Sequence, residues 1–193
     1  MIFLQHSPSP ADGDFFVLDS NIWLPILGFE DSLSDHYKTY FSKIMKSDSC
    51  KIFISPLQIS EIANRWLRFH AYKQYEKEGK PADFGKYYKA NYRQSGDFLK
   101  KYKLLKEDLG NYIETEKLEL KELMKYNYGL LTDFPPDQLD FNDNYIYLFA
   151  KQHDAILITD DGDYSGLDVK VATYNKKIYT AYKNAVKPIV GLG

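Results

Sequence analysis

An apolar run that ends in three aspartates constrains the fold of this chain more than any other stretch. Residues 155–164 read AILITDDGDY, so four consecutive apolar residues come shortly before Asp160, Asp161 and Asp163. Apolar runs without alternation are typical of strands covered on both faces, as in a parallel sheet flanked by helices. The acids would then lie at the carboxyl end of a strand, where open α/β sheets place their ligand sites. Because D-G is a common turn dipeptide, a simple turn explains this stretch about equally well on its own.

Length and composition favour one ordered domain spanning residues 1–193. The chain holds 17 Tyr and 12 Phe, and it is long enough for one sizeable core but short for two. Its one cysteine, Cys50, allows no intrachain disulfide. No window reaches the ~18 apolar residues of a membrane span, and the amino terminus lacks the features of a secretory signal. We therefore expect a cytoplasmic protein with no membrane partner, and the net charge of -2 argues neither for nor against nucleic acid.

A second buried strand ends in a carboxylate near the amino terminus. After a polar lead that contains prolines, residues 15–18 read FFVL and stop at Asp19, which is followed closely by Asn21. The apolar spacing of residues 34–46 then predicts a helix. Asp19 therefore takes the same place as the later aspartates, at the carboxyl end of a strand.

A third strand, residues 52–54, leads into a helix with a complete start signal. The N-cap, first helical position and capping-box partner are Ser55, Pro56 and Gln58. The expected core stripe of this helix is Ile59, Ile62, Ala63, Trp66 and Leu67. A different stripe carries Glu61, Arg65 and Arg68. Taken alone, an exposed Glu–Arg ion pair is the simpler explanation of that second stripe.

Residues 65–106 form a basic region in which aromatic side chains are interleaved. This region holds twelve Lys or Arg against four Asp or Glu. Basic groups beside aromatic faces suit a phosphate backbone with unstacked bases. A pair of amphipathic helices with inward-packed tyrosines explains most of the same residues, with a break at Gly79-Lys80-Pro81. We predict that the region is a helical insertion within the domain.

A further acid is expected at the start of a helix within residues 138–154. Asn142 is available as its N-cap, which puts Asp143 in the first turn, where the helix dipole stabilises a carboxylate. Capping by itself is a sufficient explanation of Asp143. The remaining predicted elements are a strand edge or helix over 118–128, a loop at Pro135-Pro136, a last strand over 169–172 and a terminal helix over 178–185.

Four carboxylates are predicted to meet at one edge of the sheet: Asp19, Glu61, Asp143 and Asp161. Separate structural explanations for all four become less convincing when the topology sends them to the same edge. Hard cations such as Mg²⁺ or Mn²⁺ take oxygen ligands and keep several waters, so a few carboxylates suffice to hold them. Such ions activate water and stabilise the charge on a cleaving phosphodiester. If the substrate is nucleic acid, metal is required, because the acids alone would repel a phosphate.

The same residues carry a resemblance to the PIN-domain family, and in particular to the VapC-type ribonuclease toxins. The matching segments are FFVLDSNIWL, ISPLQISEIA and DFNDNYIYLFAKQHDAILITDDGDY. The family's four acids fall in order on Asp19, Glu61, Asp143 and Asp161, with Asp163 behind the last. The resemblance implies an α/β fold, a Rossmann-like three-layer α/β/α domain with a central parallel sheet. It also implies a divalent-metal-dependent endoribonuclease, often the toxin of a toxin-antitoxin pair.

On this basis each candidate residue receives a role. We expect Asp19, Glu61, Asp143 and Asp161 to be catalytic and, together with Asp163, to bind Mg²⁺ or Mn²⁺. Asn21 is expected to orient this site, and Arg65 or Arg68 to contact phosphate. The expected partners are RNA, a cognate antitoxin protein and, as an open alternative, a second copy of the chain in a homodimer.

Two departures from the family pattern limit what the resemblance implies. The basic region makes the chain longer than a typical VapC, and Asp160 stands where relatives carry a basic or neutral residue. The division of labour among the three neighbouring aspartates therefore stays open. Two alternative functions also stay open: a non-catalytic PIN-fold module that binds RNA or protein, and a structure-specific DNA nuclease.

Overall fold

A parallel six-stranded sheet forms the centre of the computed structural model, which describes residues 1–28, 35–123, 128–132 and 138–186. The strands are β1 (Ile2–Phe3), β2 (Phe15–Leu18), β3 (Lys51–Ile54), β4 (Leu118–Leu120), β5 (Ile156–Ile158) and β6 (Val171–Thr173). Their spatial order is β1-β6-β5-β2-β3-β4, and all neighbours run parallel. The predicted central parallel sheet is confirmed.

Helices cover both faces of this sheet. They are α1 (Ser20–Ile26), α2 (Asp35–Lys46), α3 (Pro56–Lys77), α4 (Phe84–Ala90), α5 (Gly96–Glu114), α6 (Tyr128–Thr132), α7 (Phe141–Gln152) and α8 (Lys176–Val186). Along β2, Phe16 and Leu18 enter the core that α1, α2, α3 and α5 share, whereas Val17 enters the opposite core with α7. This alternation produces the predicted three-layer α/β/α arrangement.

The order of the strands reverses at β2, and this reversal positions the candidate site. The chain moves from β2 outward to β3 and β4 on one side, while β5 occupies the other side of β2. In open α/β sheets the carboxyl ends of the strands at such a switch point form a crevice that binds ligands. Here those ends are followed by Asp19 after β2 and by residues 159–161 after β5.

The start of α3 matches its sequence signal in every detail. The hydroxyl oxygen of Ser55 accepts a hydrogen bond from the amide of Gln58, whose side chain accepts one from the amide of Ser55 in return. The Gln58 side chain also donates to the carbonyl oxygen of Leu18 at 2.9 Å. The capping residue therefore ties the first turn of α3 to the end of β2.

The predicted N-cap of α7 was wrong. The helix begins after Asp140, whose carboxylate accepts the amide of Asp143, while the Asp143 carboxylate accepts the amide of Asp140. This reciprocal pair satisfies two free amides at once, which Asn142 could not do from inside the first turn. Asp143 nonetheless lies in the first turn, as predicted.

The edge strand β1 and the helix α1 were not predicted from the sequence. The edge strand β1 is only two residues long and pairs Ile2 with Ala172, which is too short for a recognisable apolar pattern. The apolar residues after Asn21 were left unassigned and belong to α1. Residues 118–120 are the edge strand β4, whereas Ser34, residues 124–127 and the Pro135-Pro136 loop lie outside the described residues.

The basic region is helical. After α3, the chain turns through Gly79 and Lys80, both with positive φ, at the predicted break. It continues through α4, a 3-10 helix at Tyr92–Gln94 and α5. Tyr75, Tyr87 and Tyr92 pack inward as a small aromatic core, as the amphipathic-helix interpretation predicts. Among the described residues no helix has the length and apolarity needed to cross a membrane.

Candidate active site

Asp19 lies at the switch point with its carboxylate turned toward β5. It occupies the N-cap position of α1 but makes no side-chain capping bond. Instead, the hydroxyl of Thr159 donates to its Oδ2 at 2.7 Å, and the Asp19 amide donates to the carbonyl oxygen of Ile158 at 2.9 Å. Asp19 is only 5% exposed, so its carboxyl group is removed from bulk water.

Asp161 reaches the same edge through the residue that holds Asp19. The Asp161 amide donates to Thr159 Oγ1 at 2.9 Å, so a single hydroxyl links the ends of β2 and β5. The Asp161 carboxylate accepts the amide of Asp163 at 3.0 Å and caps the short 3-10 helix at Gly162–Tyr164. The Tyr164 hydroxyl lies 3.3 Å from Oδ1 of Asp143 and donates to it. These bonds bring the three segments that carry Asp19, Asp143 and Asp161 together.

The three neighbouring aspartates after β5 face different surroundings. Asp160 accepts a 2.6 Å hydrogen bond from the Tyr37 hydroxyl on α2. Asp163 is about half exposed and lies 4.0 Å from the ammonium group of Lys177 on α8. Asp161 is the one whose charge raises the pKa of Asp19 and Asp143. The structure thus separates three acids that the sequence could not tell apart.

The electrostatics of the site show an excess of negative charge. Burial, reinforced by the charges of Asp143 and Asp161, raises the pKa of Asp19 to about 7, although the Thr159 hydrogen bond opposes this. Burial likewise raises the pKa of Asp143 to about 6, with contributions from Asp140 and Asp161. Burial and the charges of Asp19, Asp143 and Asp161 raise the pKa of Tyr164, so its hydroxyl stays protonated and can donate a hydrogen bond. Each carboxylate would be stabilised by a cation at this edge.

The predicted site residues on α3 are less closely linked to Asp19, Asp143 and Asp161 than these acids are to one another. Glu61 forms the ion pair with Arg65 at 3.5 Å that the simpler explanation predicts, but the Glu61 side chain is only 19% exposed, so the pair is not fully exposed as that explanation expects. Glu61 lies one turn beyond Gln58, which contacts the end of β2. The guanidinium of Arg68 lies over the rings of Phe84 and Tyr88, at 5.5 and 5.4 Å from their centroids.

Two polar atoms beside Asp19 are buried and have no hydrogen-bond partner within the described part of the chain. They are Ser20 Oγ and Asn21 Oδ1, both in the first turn of α1. Buried oxygens of this kind usually have a partner, so each points to a ligand or water at the site. Asn21 was predicted to orient the site, and that role stays a prediction.

The sequence of this chain matches the model of a known protein family. A sequence model described as the PIN domain matches residues 16–170, which is most of the chain. The chain belongs to the PIN domain family. Members of this family are generally nucleases that use divalent metal ions.

Other comparisons add little to that family assignment. A chain in the crystal structure of VapBC2 from Rickettsia felis, bound to a DNA fragment from their promoter, is 17% identical to this PIN domain. The alignment covers 82% of this chain and 98% of that chain, with a TM-score of 0.49. No curated protein sequence matches this PIN domain at a significant level.

The residues of this PIN domain fit a divalent cation by their chemistry. The donors are hard carboxylate, amide and hydroxyl oxygens, which Mg²⁺ and Mn²⁺ prefer. The buried Asp19 and the unpartnered oxygen of Asn21 are both groups that a cation would satisfy. However, among the described residues no three His, Cys, Asp or Glu side chains are close enough to form a ready-made metal cage. A cation held by these acids would keep several of its waters.

Three residues that sequence reasoning did not select contribute to this site. Thr159 and Tyr164 lie in the segment TDDGDY, which is part of the stretch that resembles the PIN-domain family, so a local signal for them existed. Tyr37 comes from a distant helix, and its hydroxyl contacts the carbonyl of Thr159 and the carboxylate of Asp160. It also accepts the amide of Tyr174 at 2.8 Å. No local pattern could have predicted this contact, because it joins segments more than 120 residues apart.

We expect Tyr37→Phe to destabilise the fold by roughly 1–3 kcal/mol, because it removes the hydroxyl that contacts the buried carbonyl of Thr159 and the partly buried amide of Tyr174. Urea denaturation of both proteins at pH 7 measures this loss. Tyr182→Phe, at a tyrosine that is 45% exposed, is the matched control and should leave the midpoint unchanged. Equal midpoints for Tyr37→Phe and wild type would show that the Tyr37 hydroxyl does not stabilise this edge.

Proposed function

We propose that this PIN domain is a divalent-metal-dependent endoribonuclease that hydrolyses RNA phosphodiester bonds. The observation that carries the proposal is the buried Asp19, whose pKa is raised by burial together with the charges of Asp143 and Asp161. Clustered acids of this kind are costly to a fold unless they bind a cation, and strongly perturbed groups in a cleft are typical of functional sites. Membership of a family of nucleases gives the reaction class.

Asp19, Asp143 and Asp161 would hold the cation, with Glu61 and Asp163 as outer contributors. When bound, the cation supplies an activated water and offsets the negative charge that develops on the phosphate. The chain's own residues set the geometry. Thr159 orients the Asp19 carboxylate through its hydroxyl, and Asn21 presents an oxygen beside it.

We also propose a biological role and a domain organisation for this chain. We infer a role as the toxin of a toxin-antitoxin pair, with a cognate antitoxin protein and a cytoplasmic site of action, from the resemblance of the sequence to VapC-type toxins. We also infer that residues 1–193 form a single domain with residues 65–106 as an insertion. Leu105 and Leu109 of α5 support the single domain, because they pack in the same core as Trp66 of α3.

The test is a cleavage assay with the full chain and a labelled single-stranded RNA. We expect cleavage with Mn²⁺ or Mg²⁺ and none in EDTA. A branched DNA substrate in the same assay separates an RNA nuclease from a structure-specific DNA nuclease, which would cleave the DNA preferentially.

A non-catalytic module is the second candidate, and the absence of a ready-made metal cage in the described residues favours it. This candidate predicts RNA or protein binding in EDTA and no cleavage with any divalent metal. Absence of cleavage by a folded, nuclease-free preparation with each metal would refute the proposed activity.

A further inference from the structure

We propose that one exposed stripe of α3 is the docking surface for single-stranded RNA and directs the bound RNA toward the acids. We call this surface the α3 track and define it by Arg65, Arg68 and Tyr72, with Phe84 and Tyr88 packed beside them. The inference rests on the proposed function, since it concerns the substrate of the same site. It goes further in assigning affinity for RNA to residues outside the acidic cluster.

The track begins next to the acids. The side chain of Gln58 donates to the carbonyl oxygen of Leu18, the residue before Asp19, at 2.9 Å. One turn later comes Glu61, and residues 65, 68 and 72 follow at the spacing of one helix face. With a rise of about 1.5 Å per residue, the track extends about 16 Å from Glu61 to Tyr72.

The distribution of charged side chains along the sequence favours binding of a polyanion to the region that carries the track. Residues 65–106 carry twelve basic and four acidic side chains, whereas the remaining residues carry thirteen basic and twenty-three acidic ones. A phosphate backbone is therefore attracted to the region of the track and repelled by the rest of the chain. The net charge of -2 conceals this separation.

The contacts of Arg68 hold its charged group in place while leaving it accessible. Its guanidinium lies 5.5 Å from the centroid of Phe84 and 5.4 Å from that of Tyr88, yet the residue is exposed. Such packing reduces the entropy lost when the guanidinium binds a phosphate. Arg65 is exposed as well, and half of its side chain stays accessible to a phosphate although it forms an ion pair with Glu61 at 3.5 Å.

The aromatic part of the track suits single strands. Tyr72 is 43% exposed, and its ring meets that of Phe84 at 75°, so the two rings do not stack on each other. An exposed ring of this kind can stack an unpaired base, which a duplex does not offer. An acidic protein segment would use the arginines but has no base to stack on Tyr72. We therefore assign the track to RNA.

The test is fluorescence anisotropy of a labelled 20-nucleotide oligouridine with the full chain in EDTA, so that the RNA stays intact. We expect Arg68→Ala to weaken binding and to lower the slope of log affinity against log salt by about 0.7, the value for one lost phosphate contact. We expect Tyr72→Leu to weaken binding roughly tenfold and Tyr72→Phe to preserve it, because stacking requires the ring and not the hydroxyl.

The matched controls lie on other helices. Lys38 of α2 has a side chain that is 54% exposed, and Tyr182 of α8 is 45% exposed. Lys38→Ala and Tyr182→Leu should change affinity less than twofold, and circular dichroism should show that all variants are folded. If the track variants bind as tightly as these controls, the assignment is overturned. Failure of the wild type to bind the RNA, or equal competition by duplex RNA, overturns it too.

A second readout separates this inference from the proposed activity. In the presence of Mn²⁺, Arg68→Ala should raise KM for RNA more than it lowers kcat, because the track binds substrate away from the acids. A chain that binds RNA through the track but never cleaves it would refute only the nuclease activity. A chain that cleaves RNA with unchanged KM after Arg68→Ala would refute only the track.

Discussion

Asp19→Asn should lower the rate of RNA cleavage by roughly a thousandfold while leaving the chain folded. The amide has the size of the carboxylate and can still accept the hydroxyl of Thr159, which donates at 2.7 Å in the wild type. It carries no charge, so a divalent cation held by these acids would lose its most buried ligand. Metal ions stabilise transition-state charge by several kcal/mol, and about 4 kcal/mol corresponds to a thousandfold in rate. Single-turnover rates with Mn²⁺ measure the effect.

The matched control for this prediction is Asp168→Asn. The side chain of Asp168 is 92% exposed and pairs with Lys151 at the surface, so its neutralisation should leave the rate unchanged. A rate for Asp19→Asn close to that of the wild type would remove Asp19 from the catalytic assignment.

The same assay distinguishes the neighbouring aspartates after β5. Asp161→Asn should reduce the rate strongly, because Asp161 is the one whose charge acts on Asp19 and Asp143. Asp160→Asn should reduce it much less, because Asp160 faces Tyr37. The opposite order would mean that the ligand is Asp160.

Without divalent metal, the free energy of unfolding should fall as the pH rises from about 4 to 7. The pKa of Asp19 is raised from 3.8 to about 7 in the folded state, so the folded protein binds more protons than the unfolded chain within this window. Stability therefore decreases with pH there, and the loss is complete above pH 7. A shift of roughly three units corresponds to at most about 4 kcal/mol. The raised pKa of Asp143 acts in the same direction.

Asp19→Asn should remove most of this pH dependence. In EDTA at pH 8 we expect the variant to be more stable than the wild type, and at pH 4 the two should be nearly equal. Mn²⁺ should stabilise the wild type at pH 8 and affect Asp19→Asn much less, since binding the cation requires the deprotonated acid. Urea denaturation at both pH values, with Asp168→Asn as control, measures these differences. A wild type that is more stable at pH 8 than at pH 4 in EDTA would contradict the burial of an uncompensated acid.

Features that depend on neighbours in the chain were predictable from the sequence. The apolar runs at residues 15–18 and 156–158 are strands because, apart from the exposed Phe15, both of their faces are buried, and the polar residues that follow end them. The predicted capping box of Ser55 and Gln58 was confirmed, because its hydrogen bonds lie within one helical turn. The capping residue of α7 was harder to choose, because Asp140 and Asn142 both suit an N-cap and only the reciprocal bond with Asp143 separates them.

The sequence by itself determined the parallel α/β fold, the family and the set of candidate acids, because strand ends and helix starts are local signals. Only the tertiary structure decided what surrounds each of those acids. The surroundings of the aspartates after β5 differ because Tyr37 binds Asp160, Lys177 lies near Asp163 and Thr159 links Asp161 to Asp19. Likewise, Arg68 lies over Phe84 and Tyr88 because α4 packs against α3. Such contacts join residues distant in sequence, and their direction depends on packing that no local pattern records.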